Sequence, residues 1–163
     1  MMDQHAKSRF AEIARRFVFV STIAFWLGGF AFYTGVVVQV GAAVLHSHTR
    51  QGFITQRVTF WLNIVASIAL LILLAHLISS ALPNRRLRKI LTILWMIMVI
   101  LQGWLFYLHP HLDRLLDTTA RMILDEERFE LLHTTYVWSA TAQWAVGVLY
   151  MFVMLGAWTK SDY

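Results

Sequence analysis

The stretch "VTFWLNIVASIALLILLAHLISSAL" (residues 58–82) contains no Asp, Glu, Lys or Arg. A helix adds about 1.5 Å per residue, so about 20 apolar residues are needed to cross the hydrocarbon core of a bilayer. This stretch is long enough to do so. It therefore predicts a transmembrane helix.

Three further runs also lack these four residue types, at residues 17–45, 90–108 and 136–158. The whole chain is 58% hydrophobic and only 14% charged, against about 25% charged residues in an average soluble domain. The first run follows basic residues, as a secretory signal does, but it exceeds the roughly 7–15 apolar residues of such a signal. We therefore predict an all-α fold: an integral membrane four-helix bundle forming one domain, residues 1–163.

The connection before the fourth run has a helical pattern of its own. Apolar residues recur at helical spacing over residues 112–124, with charged residues between them. This pattern predicts an amphipathic interfacial helix between helices 3 and 4. The acidic sequence that begins at Asp125 suits a helix N-terminus, so we expect the fourth helix to begin there.

The basic residues indicate an orientation. With four spans, the N-terminal tail, the second connection and the C-terminal tail share one side, and they hold nine of the 14 Lys and Arg residues. Cytoplasmic segments are enriched in Lys and Arg, so both termini are predicted to be cytoplasmic in a multi-pass membrane protein. Because the basic residues flank apolar runs, we expect a lipid bilayer as partner and no nucleic acid.

The first run carries small residues on one helical face: Ala24, Gly28, Ala31, Gly35 and Ala42. In lipid, small residues let helix backbones approach closely. Two interpretations stay open, which are packing within the chain and a homo-oligomer contact through helix 1.

Each run also contains one amide near the end predicted to face outward. Counting at 1.5 Å per residue places each of them roughly 9–11 Å below that end. Three tyrosines, Tyr33, Tyr107 and Tyr136, add hydroxyl groups in the outer half. Polar groups in lipid need a partner or a wet cavity, so the layer is either an interhelical hydrogen-bond network or the floor of an outward-facing ligand site. Its members are Gln39, Asn63, Gln102, Tyr107, Tyr136 and Gln143.

Four of the seven histidines lie in "LHSH" (residues 45–48) and "LHPH" (residues 108–111). Both stretches are predicted to end a helix on the outer side, and Pro110 disfavours helical geometry at His109. In a helix, H-x-H places two rings about 200° apart, so chelation by one pair needs extended backbone. Imidazole binds copper, zinc and haem iron. The candidate metal ligands are His46, His48, His109, His111 and His133.

Three stretches carry a family resemblance. "FWLGGFAFYTGVVVQVG" (residues 25–41) followed by "RQGFITQRVTFWLN" (residues 50–63) resembles the opening of the transmembrane protein 205-like, or domain of unknown function 4149, family of four-helix membrane proteins. "ERFELLHTTYVW" (residues 127–138) resembles that family's approach to the last helix. The resemblance implies an integral membrane protein of undefined biochemistry. A weaker similarity to the membrane domain of copper-resistance D proteins implies copper handling.

Enzyme signatures are missing from the sequence. It has no Cys, no G-x-S-x-G, no P-loop, no Rossmann fingerprint and no H-E-x-x-H. We expect a non-enzymatic membrane protein whose His-rimmed, amide-lined outer site binds a metal ion such as copper or zinc, haem b or a small ligand. One alternative is a structural or partner-binding membrane subunit. Another is a haem-containing membrane oxidoreductase.

Overall fold

A computed structural model describes residues 2–80, 84–117 and 122–161, with the side chains of residues 2–8, 48–49 and 160–161 left aside. A first helix consists of α1 (Met2–Phe32), a π-helical segment (Tyr33–Val37) and α2 (Val38–Leu45) in unbroken succession. The elements that follow are α3 (His48–Ser79), α4 (Arg85–Asp113), β1 (Leu116–Asp117), β2 (Met122–Ile123) and α5 (Glu126–Ser161).

Four helices in the described residues are long and apolar enough to cross a membrane, which confirms the predicted helical bundle. The shortest, α4, has 29 residues and is about 43 Å long. Large apolar side chains lie on the outside of all four helices. Phe25, Leu71, Ile100 and Phe152, one from each, are between 65% and 74% exposed.

Side-chain caps and one left-handed residue set the helix ends. His46 ends the first helix with φ 48° and ψ 30°, a conformation that His adopts more readily than most non-Gly residues. Ser47 Oγ then accepts from Arg50 N at 3.2 Å and caps α3. Asp125 Oδ1 accepts from Arg128 N at 3.0 Å, so α5 begins at Glu126, as predicted. Such caps satisfy amides that the first helical turn leaves without partners.

The predicted interfacial helix over residues 112–124 is wrong. The described residues of this segment form a short antiparallel hairpin in which Leu116 pairs with Ile123 and Asp117 with Met122. Leu124 N also donates to Leu115 O at 2.9 Å. Directly opposed residues place their side chains on the same face, so the pairing brings Leu116 and Ile123 together, and both are half-buried. The apolar residues of this segment recur every three or four positions, and that spacing fits the hairpin as well as a helix.

The predicted helix exit at His109 is also wrong, because α4 continues through Pro110 to Asp113. A proline inside a helix costs about 3 kcal/mol. Side-chain contacts hold the last turn in place. Nδ1 of His111 donates to Tyr107 O at 2.7 Å, and Nδ1 of His109 lies 3.1 Å from Asp113 Oδ2.

The first helix packs on α5 through a glycine. A Cβ at Gly147 would lie 2.9 Å from Leu27 Cδ2 and 3.3 Å from the Trp26 ring, and Trp144 Nε1 donates to Leu27 O at 3.0 Å. The predicted small-residue face of the first helix does not form this contact with α5. Ala24, Gly28, Ala31 and Gly35 are exposed in the described chain, and only Ala42 is half-buried. Packing within the chain is therefore not the role of the first four, and the homo-oligomer contact stays a prediction.

Candidate functional site

Three of the four predicted amides form one chain of hydrogen bonds across α3, α4 and α5. Gln143 Nε2 donates to Gln102 Oε1 at 2.9 Å, and Gln102 Nε2 donates to Asn63 Oδ1 at 3.3 Å. Asn63 Nδ2 then donates to the hydroxyl of Tyr136 at 2.8 Å. All four side chains are buried. The predicted layer is thus an interhelical network at these positions.

Two predicted members of the layer lie apart from this network. Gln39 is exposed on α2, beyond the π-helical segment. A π turn shifts the helical register by roughly one residue, so residues beyond it leave the face that α-helical spacing predicts. Tyr107 is exposed and stacks on Trp104 with ring centroids 5.3 Å apart.

A cavity of about 490 Å³ lies between this network and the hairpin, enclosed by the first helix, α3, α4 and α5. Small-molecule sites commonly measure about 300–1,000 Å³. Tyr136 belongs to both the network and the cavity wall. Most of the wall is apolar, with side chains from every surrounding element: Phe30, Val38, Leu62, Leu112, Leu116, Ile123, Phe129, Val137 and Ala140.

A polar strip on α3 and α4 crosses this apolar wall. The Asp113 carboxylate accepts from Gln56 Nε2 at 2.9 Å and faces His109 Nδ1 at 3.1 Å. The other ring nitrogen of His109 lies 3.3 Å from Gln56 O and 3.4 Å from Thr59 Oγ1. Both nitrogens of His109 therefore have polar partners, and the strip ties α3 to α4.

The opposite wall brings the π-helical segment against the start of α3. The hydroxyl of Tyr33, the first π-helical residue, donates to Thr55 Oγ1 at 3.1 Å. π-Helical turns recur at functional sites. Both residues line the cavity, so this irregular turn contributes directly to its wall.

Gln51 is the least satisfied polar side chain of the cavity wall. It is only 3% exposed, and its side-chain nitrogen and oxygen have no hydrogen-bond partner among the residues that the structure describes. Its amide lies so close to Gly41 that a Cβ there would overlap it. A buried amide without partners costs about 1–3 kcal/mol, so the cavity holds a group that a bound molecule would stabilise.

Four polar residues of the cavity wall are not predicted from the sequence, namely Gln51, Thr55, Gln56 and Asp113. The first three precede residue 58, where the uncharged run begins, so the sequence pattern places them in a connection. The sequence does contain one indication of this wall. Gln51, Thr55 and Thr59 are spaced four residues apart, and because α3 begins at His48 they lie on one face of that helix.

The cavity opens sideways. Four of its lining residues are exposed, namely Thr34, His133, Val137 and Thr141. Thr34 belongs to the π-helical segment and the other three to α5. The lining residues of α3 and α4 are buried or half-buried. The entrance therefore lies between the first helix and α5.

Two of the predicted metal ligands share the cavity, His109 and His133. The His133 ring stacks on Phe129 at 5.7 Å. His46 is exposed at the turn after the first helix, and His111 packs on Tyr107 at 4.5 Å. The side chain of His48 lies outside the described residues. Within the described ranges, no group of three or more His, Asp or Glu side chains is placed to hold a metal ion.

Comparisons with protein-family models, with curated proteins and with solved structures find no match. The resemblance to the two families of membrane proteins therefore stays a prediction.

Proposed function

We propose that the protein is a multi-pass membrane protein that binds a largely apolar small molecule in the cavity between the first helix and α5. The four long apolar helices and their exposed apolar side chains support the placement in a bilayer. The distribution of Lys and Arg supports cytoplasmic termini. In this orientation the cavity lies in the outer half of the bundle.

The sideways entrance is the observation that carries the proposal. An opening between two helices whose outer faces are apolar leads to the lipid phase, since lipid surrounds such helices. A molecule dissolved in the bilayer reaches the cavity without crossing water. The apolar walls favour the burial of an apolar body.

The ligand also carries a hydrogen-bonding group. The buried amide of Gln51 has both a donor and an acceptor to offer. A hydroxyl or carbonyl group on the ligand would satisfy it. Gln56, His109 and Asp113 already bond to one another. We therefore expect this part of the cavity wall to keep its shape when the ligand enters.

A metal or haem centre has less support. Both ring nitrogens of His109 are engaged, and His133 is the other histidine of the cavity wall. The purely structural alternative draws on the network of Asn63, Gln102 and Gln143, which pins three helices together.

The experiment purifies the full chain from its own membranes and measures it by native mass spectrometry. Ala140 is buried in the cavity wall, so Ala140→Phe fills the site. Ala145 is exposed on the same helix, so Ala145→Phe is the matched control. We expect a small-molecule adduct on the wild type and on Ala145→Phe that is lost from Ala140→Phe. The structural alternative is favoured if no adduct forms, or if all three proteins carry the same one.

A further inference from the structure

A second recess lies at the opposite end of the bundle, between α1 and α3. It measures about 280 Å³. Val18, Phe19 and Ile72 form its apolar side, and Arg15 and His76 are its ionisable residues. Ser79, the last residue of α3, also lines it. The recess is therefore remote from the cavity, whose α3 residues lie between Gln51 and Leu62.

His76 is a buried polar group of this recess. It is 4% exposed, and neither of its ring nitrogens has a hydrogen-bond partner among the described residues. Its ring packs on Phe19 with centroids 4.5 Å apart and against Trp158 at 5.9 Å. Buried polar groups are almost always hydrogen-bonded. A ligand in the recess would provide the missing partner.

Arg15 supplies positive charge at the same place. One terminal nitrogen donates to Ser79 O at 2.9 Å, which positions the guanidinium at the end of α3. Among the described side chains, the carboxylate that pairs with Arg15 is that of Glu12, at 4.0 Å. Glu12 instead pairs with Arg16 at 2.7 Å. The charge of Arg15 is thus only weakly compensated by the described side chains.

We propose that this recess binds an anionic phospholipid. The phosphate lies at Arg15 and His76, since a guanidinium binds phosphate oxygens with several parallel hydrogen bonds. One acyl chain lies along Val18 and Ile72. Val18 is 49% exposed, as a lipid-facing wall requires. Basic pockets between transmembrane helices at the cytoplasmic side are typical binding sites for acidic head groups, and this end of the bundle is the one predicted to be cytoplasmic. The site rests on the bilayer placement and orientation proposed above, but not on a ligand in the cavity.

The test titrates the detergent-solubilised full chain with dioleoyl phosphatidylglycerol, and in parallel with dioleoyl phosphatidylcholine, by native mass spectrometry. We expect the anionic lipid to bind roughly fivefold more tightly, as one well-placed basic residue provides. Arg15→Gln and His76→Phe should each abolish this preference. The Phe side chain keeps an aromatic ring against Phe19 and Trp158, so the second variant preserves the packing.

Arg88→Gln is the matched control. Arg88 donates to Ser80 O at 3.2 Å, so it contacts the same helix end and carries the same charge, but from α4. It should keep the preference for phosphatidylglycerol. If Arg88→Gln and Arg15→Gln lose this preference equally, then positive charge in general attracts the lipid, and the proposed site is wrong. Retention of the preference in both Arg15→Gln and His76→Phe would overturn it too.

A competition experiment distinguishes binding of a lipid from binding of free phosphate. Glycerol 1-phosphate has the phosphate without acyl chains, and we expect it to compete with phosphatidylglycerol only at far higher concentration. Competition at equal concentration would show that the acyl chains contribute nothing, which contradicts the lipid proposal.

Discussion

The hydroxyl of Tyr136 accepts a 2.8 Å hydrogen bond from Asn63 Nδ2 and at the same time forms part of the cavity wall. One side chain of α5 thereby connects the buried network to the candidate site. Within the network, Gln143 donates a hydrogen bond to Gln102, and Gln102 donates one to Asn63. The network therefore joins α3, α4 and α5 next to the cavity.

Tyr136→Phe should lower the free energy of unfolding. The change leaves Asn63 Nδ2 without its acceptor in a buried site, and an interhelical hydrogen bond in a membrane protein contributes about 0.6–2 kcal/mol. Unfolding in increasing mole fraction of sodium dodecyl sulfate measures the loss. Tyr107→Phe removes the same hydroxyl from an exposed ring and should change stability little. Equal effects of the two substitutions would show that the network contributes nothing specific.

Gly41→Ala and Gly29→Ala should differ in their effect on ligand binding although both lie in the first helix. A Cβ at Gly41 overlaps the Gln51 amide, whereas a Cβ at Gly29 meets nothing within 4 Å. The atoms that a Cβ at Gly41 would meet are the far end of the flexible Gln51 side chain. Gly41→Ala should therefore displace Gln51 from its place on the cavity wall at little cost in stability, because the amide has no hydrogen-bond partner to lose among the described residues. In open space the same change gains up to about 1 kcal/mol of helix propensity.

The two glycine variants are compared by the same unfolding titration and by adduct formation. We expect Gly41→Ala to lose the adduct and Gly29→Ala to keep it, with neither variant much less stable than the wild type. A Gly41→Ala protein that retains the wild-type adduct would mean that Gln51 has no part in ligand binding.

The helices can be predicted because lipid imposes a length. An uncharged run of about 20 residues has few alternatives to a spanning helix, and depth along that helix follows from residue counting alone. This is why counting places Asn63, Gln102 and Gln143 in one layer, where they do bond to one another. The direction in which a side chain points around the helix depends on packing, and there the prediction for Gln39 fails at the π-helical segment.

The cavity can be predicted less well because its polar wall lies outside the uncharged runs. The helices α3 and α5 begin about ten residues before those runs, so the sequence pattern places Gln51 and Thr55 in a connection rather than on a helix face. The hairpin is missed for a related reason. Leu116 and Ile123 sit on one side of a two-residue ladder, and so short a ladder leaves no alternating pattern in the sequence.

The predicted orientation can be tested with single cysteines, because the sequence contains none. Arg86 is exposed at the start of α4 and Glu127 at the start of α5, at opposite ends of the bundle. A membrane-impermeant maleimide added to intact cells should label Glu127→Cys at once and Arg86→Cys only after permeabilisation. The reverse order of labelling would place both termini outside and the cavity in the inner half.

The small-residue face of the first helix predicts a contact between two copies of the chain. Gly28 is exposed, and a Cβ added there would meet nothing within 4 Å; the same holds for Gly156 on α5. Leucine at either position therefore fits the single chain. At Gly28 it would hold two backbones apart, since close approach of helices in lipid depends on small residues. Chemical crosslinking in membranes should give a dimer band for the wild type and Gly156→Leu that is strongly reduced for Gly28→Leu. A wild-type chain that does not crosslink, or equal bands from both variants, would exclude this face as the contact.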